Sequence, residues 1–222
     1  MYSAPQEATL TANGRRVHYW EYGVDQGFPV VLLHGGLGDA QANWQPLLET
    51  LGLSYHVTAV DLPGFNASQP LAPNTLEALL AWLDAFLDAK GFEAAVLVGH
   101  SLGALIVRLY AQRKPERVPA LVLVNGGELP SSVPIARVLG KLPLVGGWMF
   151  SRLANTSISK AALTTLFYDP SQMADAYFHN VQHNKVGLAR LMQLITTADY
   201  TNLNGKMLIP TLVIWGENDQ LN

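Results

Sequence analysis

No cysteine occurs in the 222 residues, which excludes disulfides, thiolate nucleophiles and cysteine-held zinc or iron–sulfur centres. Charge is scarce as well: 14% of the residues are Asp, Glu, Lys or Arg, against 49% that are apolar. Intrinsic disorder needs the opposite balance, low hydrophobicity with high charge. The 14 basic and 17 acidic residues leave a formal charge of −3, and they form no basic stripe of the kind that follows a phosphate backbone. A nucleic-acid partner is therefore not expected. Also missing is an apolar run of membrane-spanning length. The most apolar stretch, residues 94–111, is interrupted by His100, Ser101 and Arg108, whereas a spanning helix needs about 20 nearly continuous apolar residues. Residues 1–7 have neither the basic start nor the apolar run of a signal peptide. Together these absences predict a soluble protein of one domain, and the lack of cysteine fits a cytoplasmic location.

What is present is a regular alternation of strand and helix signals. Asn13-Gly14 separates two strand-like runs, Ala8–Ala12 and Arg15–Tyr22, and Asn-Gly is the strongest short hairpin signal. Short continuous apolar runs follow at Pro29–Leu33, His56–Val60, Ala94–Val98 and Ala120–Val124. Such runs suit strands buried on both faces of a parallel sheet. Helical periodicity lies between them, at 43–51, 74–90 and 102–114. That order implies right-handed crossovers and a mainly parallel, doubly wound sheet. From about 127 to 204 only helical segments are legible, near 133–140, 145–153, 159–168, 171–181 and 186–197. A last strand, Thr211–Trp215, then leads to Gly216-Glu217-Asn218-Asp219. The expected organisation is a core of residues 1–126 and 205–222 with a helical cap, 127–204, inserted between two sheet strands.

The chemistry centres on Gly99-His100-Ser101-Leu102-Gly103. As a string, G-x-S-x-G is common. Its position adds weight, because a buried strand ends just before it and a helix begins at once, as at a nucleophile elbow. Glycines two residues either side of Ser101 leave room for strand and helix to approach. The helix N-terminus offers N–H groups and a favourable dipole to a developing oxyanion. The competing reading is a glycine-bounded turn in which Ser101 merely caps the helix.

With these residues, the chain resembles the α/β-hydrolase superfamily, in its branch of small esterases, carbon–carbon bond hydrolases and proline iminopeptidase-like enzymes. The resemblance runs from the Asn13-Gly14 hairpin to the Gly216–Asp219 turn and includes His34-Gly35-Gly36-Leu37-Gly38 and Asp61-Leu62-Pro63-Gly64-Phe65. It implies Ser101 as nucleophile, the backbone N–H groups of Gly36 and Leu102 as oxyanion hole, with Leu37 as alternative to Gly36, and Asp219 as triad acid, with Glu128 second. It also implies structural roles for His34 and His100, while Asp61 reads as a turn-forming residue. No cofactor and no metal is expected. A serine at the elbow disfavours the dehalogenase and epoxide hydrolase chemistries, in which the resembling enzymes use aspartate.

The triad order of this fold is Ser, then Asp or Glu, then His. After Asp219 only Gln220, Leu221 and Asn222 remain. Of the other histidines, His18 and His56 are expected far from the elbow, and His179 and His183 fall in the predicted cap, where solvent exposure is the simpler reading. The expectation is a fold whose last strand, histidine-bearing loop and final helix are missing, with Thr211–Trp215 left as an apolar edge. The predicted activity is hydrolysis of an ester-type bond in a small or medium apolar substrate, almost absent from the chain as given. A carbon–carbon bond hydrolase and a non-catalytic binding protein of the same fold are the alternatives. Trp148, Phe150, Phe167 and Tyr177 are the candidate substrate-binding residues, together with Met149, Tyr168 and Phe178. Helices bury such side chains in any case, so cap packing competes with ligand contact for all of them. Oligomeric state is left open.

Overall fold

The computed structural model describes residues 4–25, 27–130, 134–142, 144–201, 203 and 207–219. The predicted helix start at Val133, the cap boundary at 204 and the three residues after Asp219 lie outside them. Seven strands form one sheet in the order β1-β2-β4-β3-β5-β6-β7. They are β1 (Gln6–Ala12), β2 (Arg15–Gly23), β3 (Pro29–Leu33), β4 (His56–Val60), β5 (Val96–His100), β6 (Leu121–Val124) and β7 (Thr211–Ile214). The Asn13-Gly14 hairpin pairs β1 with β2 antiparallel, and β2 pairs antiparallel with β4. All remaining pairs are parallel, as expected of strands too apolar to face water on either side.

Helices α1 (Ala40–Gly52), α2 (Leu76–Ala89) and α3 (Leu102–Arg113) make the crossovers. The sheet residues alternate between two apolar clusters. Val31 and Leu33 join the large core with α2 and α3, whereas Val30 and Leu32 face Trp44 and Leu48 of α1. The period of two along a strand enforces this division. Side-chain caps start α1 and α2, where Asp39 accepts from the N–H of Ala42 and Thr75 from that of Ala78. Towards β7 the cover thins: all four of its residues are exposed, in agreement with the apolar edge expected from the sequence.

Between β6 and β7 lie α4 (Pro134–Gly140), α5 (Val145–Ser157), α6 (Lys160–Thr164), α7 (Asp175–His183) and α8 (Lys185–Thr197). Helix α8 is the hub, packing against α4, α5 and α7. It also reaches the core: a Cβ on Gly187 would overlap Gly64 and crowd Phe65, so helix and turn touch backbone to backbone. Strand order reverses at β3, since the chain steps from β3 to β4 on one side and later to β5 on the other. A switch point of this kind opens a crevice at the carboxyl ends of the strands. The loops after β3 and β5 flank it.

Candidate active site

One residue separates β5 from α3. Ser101 takes φ 50°, ψ −112°, in the positive-φ region that costs a non-glycine residue about 1–3 kcal/mol. The surroundings impose it. A Cβ on Gly99 would overlap the backbone of Gly103 and Ala104, and one on Gly103 would overlap that of Leu33 and His34. Helix α3 therefore leaves the strand with almost no clearance, and Ser101 absorbs the turn. Its N–H donates to the Val124 carbonyl at 2.8 Å, which ties the elbow to β6. The Ser101 hydroxyl makes no capping hydrogen bond, so the capping reading of the motif does not describe this serine. β5 extends two residues beyond its predicted end because Gly99 and His100 pair with Leu123 and Val124.

Opposite the elbow is the turn after β3. His34 is fully buried; its Nδ1 donates to the Gly35 carbonyl at 2.6 Å, and its Nε2 accepts from the Leu62 N–H at 2.9 Å. One donor and one acceptor require the neutral ring, and burial holds its pKa below the usual histidine value. Asn43, on the first turn of α1, binds the same turn from the other side. Its Oδ1 accepts from the Gly35 N–H at 3.2 Å and from His100 Nδ1 at 2.9 Å, while its Nδ2 donates to the Leu37 carbonyl at 3.2 Å. A single amide thus links the Gly35–Leu37 turn to the residue before Ser101. The sequence reading missed it, since an Asn within a helix carries no motif. The His100 pKa is lowered by burial and by His34, against an upward pull from the charge of Asp219.

Asp219 follows β7, on a turn closed by its own N–H to the Gly216 carbonyl at 3.0 Å. The side-chain amide of Asn125, the residue after β6, donates to Asp219 Oδ2. Asn125 also donates its backbone N–H to Ile214 at 2.9 Å. Glu128, the second candidate acid, is exposed.

Asp61 departs from its expected role as a local turn former. It is buried, and its Oδ1 accepts from the N–H of Ala40, 21 residues earlier, at 2.8 Å. Its Oδ2 meets His18 Nδ1 at 2.5 Å and Asn66 Nδ2 at 3.0 Å. His18 Nε2 continues to Glu7 at 2.8 Å. Hydrogen bonding to Asp61, above all, raises the His18 pKa, against the opposing effect of burial. His56 is engaged with Glu21, and His179 and His183 are exposed on α7.

The helical segment between β6 and β7 reaches this region through α7 and α8. Asn180 Nδ2 donates to Asp39 Oδ2 at 2.5 Å, and the Asn66 N–H donates to the buried Asn184 Oδ1 at 2.7 Å. Leu188 stands 3.0 Å from where a Gly36 Cβ would be, with Leu102 at 3.6 Å. The apolar side chain against the turn is therefore Leu188, which the sequence reading did not single out. Of the aromatic candidates, Phe150 is buried against Gly140 of α4, and Trp148 is exposed with the Arg152 guanidinium over its ring. Phe167 and Tyr177 are half-buried and meet edge to face at 5.5 Å. Phe178 is also half-buried, and Tyr168 is exposed. Among the described residues there is no group of three or more His, Asp or Glu side chains placed to hold a metal ion. Among the described residues, too, no helix is long and apolar enough to cross a membrane.

Comparison with known proteins agrees with this fold. The chain is 29% identical over 228 residues to the dihydrolipoyllysine-residue acetyltransferase component of the acetoin cleaving system of Pseudomonas putida, covering 98% of this chain and 58% of that protein. It is 27% identical over 223 residues to the 2-hydroxy-6-oxo-6-phenylhexa-2,4-dienoate hydrolase of Burkholderia cepacia, covering 92% of this chain and 75% of that one. Epoxide hydrolase A from Mycobacterium thermoresistibile superposes with a TM-score of 0.75 at 21% identity, over 96% of this chain and 83% of the other. The profile of the α/β hydrolase fold matches residues 29–222. The chain belongs to the α/β hydrolase family.

Proposed function

We propose that the protein is a serine hydrolase acting on an ester-type bond of a small or medium apolar substrate. The observation that carries this reading is the backbone of Ser101, held at positive φ between β5 and α3 with a hydroxyl not used for capping. In the proposed reaction Ser101 Oγ attacks the carbonyl carbon and gives its proton to a base. The N–H groups of Gly36 and Leu102 stabilise the oxyanion, a contribution worth about 3–4 kcal/mol per donor in related chemistry. The C–O bond then breaks, the alcohol leaves with the proton, and water hydrolyses the acyl-enzyme. Asp219, steadied by Asn125, is the acid that orients a histidine base.

None of the six histidines of the sequence fits that base. Four are committed to Asp61, Gly35 and Leu62, Glu21, and Asn43, and two are exposed on α7. We therefore expect the 222 residues alone to retain only the ~10³–10⁴-fold acceleration that an oxyanion hole and binding supply without a complete triad. In this reading residues 127–204 act as a cap over the core, and Leu188, Phe167 and Tyr177 contribute apolar surface to the substrate site.

The similarity to a dienoate hydrolase favours one second reading, cleavage of a carbon–carbon bond beside a carbonyl by the same serine. A test uses short-chain p-nitrophenyl esters, with and without added imidazole as a substitute base. Without imidazole the wild type and Ser101→Ala should be about equally slow, and added imidazole should raise hydrolysis by the wild type above that by Ser101→Ala. Equal rates for the two proteins at every imidazole concentration would sink the nucleophile assignment. Turnover of 2-hydroxy-6-oxo-6-phenylhexa-2,4-dienoate in preference to esters would favour the second reading.

A further inference from the structure

The outer face of α4 and α5 combines three properties that the hydrolase chemistry leaves unused. It is apolar where it is exposed: Ile135 and Val138 on α4, Leu144 at the N-cap of α5 and Trp148 on α5 keep 67%, 64%, 90% and 66% of their surface in contact with solvent. It is also ordered by the helix repeat. Gly146, Phe150 and Ala154 form the buried row of α5, and α5 packs on α8. Trp148 and Arg152 form the row displaced by two residues, half a turn round the helix and facing away, and Leu144 precedes them as the N-cap, at φ 65°. The exposure of Trp148 and Arg152 is thus a consequence of helix geometry.

The third property is charge. Between Glu128 and Asp169 the sequence contains Arg137, Lys141, Arg152 and Lys160 and no carboxylate side chain. The rest of the chain holds ten basic and seventeen acidic residues, so the segment is a basic island in an acidic protein. Arg137 pairs with Asp199 at 3.5 Å and Lys160 with Asp175 at 3.1 Å, both across exposed surface. Such pairs are weak and leave the cations open to exchange for another anion. The Arg152 guanidinium lies 5.6 Å from the centre of the Trp148 ring, so a cation stands beside the exposed indole.

We infer that this face docks the protein on an anionic lipid surface. Tryptophan and leucine would enter the headgroup boundary, where an amphipathic segment buries its apolar side about 5–10 Å deep. Lys141, Arg152 and their neighbours would meet the phosphates. A second copy of the chain fits less well, because a two-fold contact sets each patch against its own like charges. A nucleic acid would leave the four apolar side chains without a partner. The docking does not depend on the reaction assigned to Ser101.

Flotation of the 222-residue protein with vesicles tests it. Binding is expected to vesicles of phosphatidylcholine mixed with phosphatidylserine, to be weak on phosphatidylcholine alone, and to fall as salt is raised. Lys141→Gln and Arg152→Gln should each weaken binding about five-fold, equivalent to about 1 kcal/mol per cation. Leu144→Ser combined with Trp148→Ser should abolish it, and Ile135→Ser with Val138→Ser should weaken it, with unchanged circular dichroism because all four side chains are exposed. The inference is overturned if the mixed vesicles do not bind. It is overturned equally if binding survives the serine variants and is lost instead on Leu212→Ser at the β7 edge. Self-association in sedimentation that Trp148→Ser abolishes, without vesicle binding, would assign the face to a second copy.

Discussion

Three histidines are tuned in opposite directions, and this gives the stability of the protein a defined pH dependence. His34 and His100 are held below the ordinary value of 6.5, chiefly by burial, and His18 is held above it, chiefly by its hydrogen bond to Asp61. A histidine with a lowered folded pKa supports the fold while neutral, and its contribution fades as pH falls below about 6.5. One with a raised folded pKa supports the fold while protonated, and its contribution fades as pH rises above about 6.5. Urea denaturation at intervals from about pH 5 to 8 should therefore place the maximum near 6.5. His18→Gln should flatten the alkaline side only; an unchanged alkaline slope would show that the Asp61–His18 pair does not drive it. Asn43 is the other residue whose weight exceeds its visibility in the sequence. Asn43→Ala leaves the Gly35 N–H and His100 Nδ1 without their acceptor, a loss of about 2 kcal/mol, and should lower Ser101-dependent turnover. Asn43→Asp, which keeps the acceptor, should recover part of both, as read by urea melts and ester hydrolysis.

At the scale of elements, the β5–α3 junction sets a tight constraint. Because a Cβ on Gly99 meets backbone and not a movable side chain, Gly99→Ala should cost about 3 kcal/mol or more and shift the urea midpoint without changing the slope. A loss below about 0.5 kcal/mol would mean that the helix can move away from the strand. This element pair was legible beforehand, since buried strands of β-branched and leucine residues bounded by glycine have few alternatives. β3 and β4 were read to the residue, Pro29–Leu33 and His56–Val60. β5 was displaced by two, because pairing with β6, which the string does not display, carries the strand through Gly99 and His100. The cap helices were found with softer ends. α6 stops at Thr164 and not at 168, and α7 begins at Asp175 after a 3₁₀ turn, Pro170–Gln172, whose Ser171 N–H is taken by Asp169. Local capping decides such boundaries, and periodicity is blind to it.

For the whole molecule, the asymmetry of the sheet is its main liability. β1 closes one side with a polar hairpin strand, whereas β7 presents Leu212, Val213 and Ile214 to solvent. An exposed apolar edge is a template for pairing with another chain. Val213→Lys should reduce aggregation on heating, followed by light scattering, and leave the melting temperature nearly unchanged, since exposed positions contribute within about 0.5 kcal/mol. Unaltered aggregation would direct attention to the α4–α5 face. Helices α7 and α8 are fastened to the loops after β3 and β4 by polar hooks, Asn180 to Asp39 and Asn66 to Asn184, together with Arg190 on the Leu71 carbonyl at 2.6 Å. These contacts span more than a hundred residues of sequence, and no local pattern announces them.

The hydrophobic periods, the Asn-Gly turn and the glycine-flanked serine were enough to read the layered α/β fold, the helical insertion and the position of Ser101, because each is dictated by neighbours within a few residues. Which side chains meet across the loops was decided only by the folded chain. Asn43 bridging His100 and Gly35, Leu188 over Gly36, Asn125 on Asp219 and His18 on Asp61 each join distant segments. Such contacts exist once strand order and helix docking have placed them, and a hydrogen bond between residues far apart in sequence leaves no period behind.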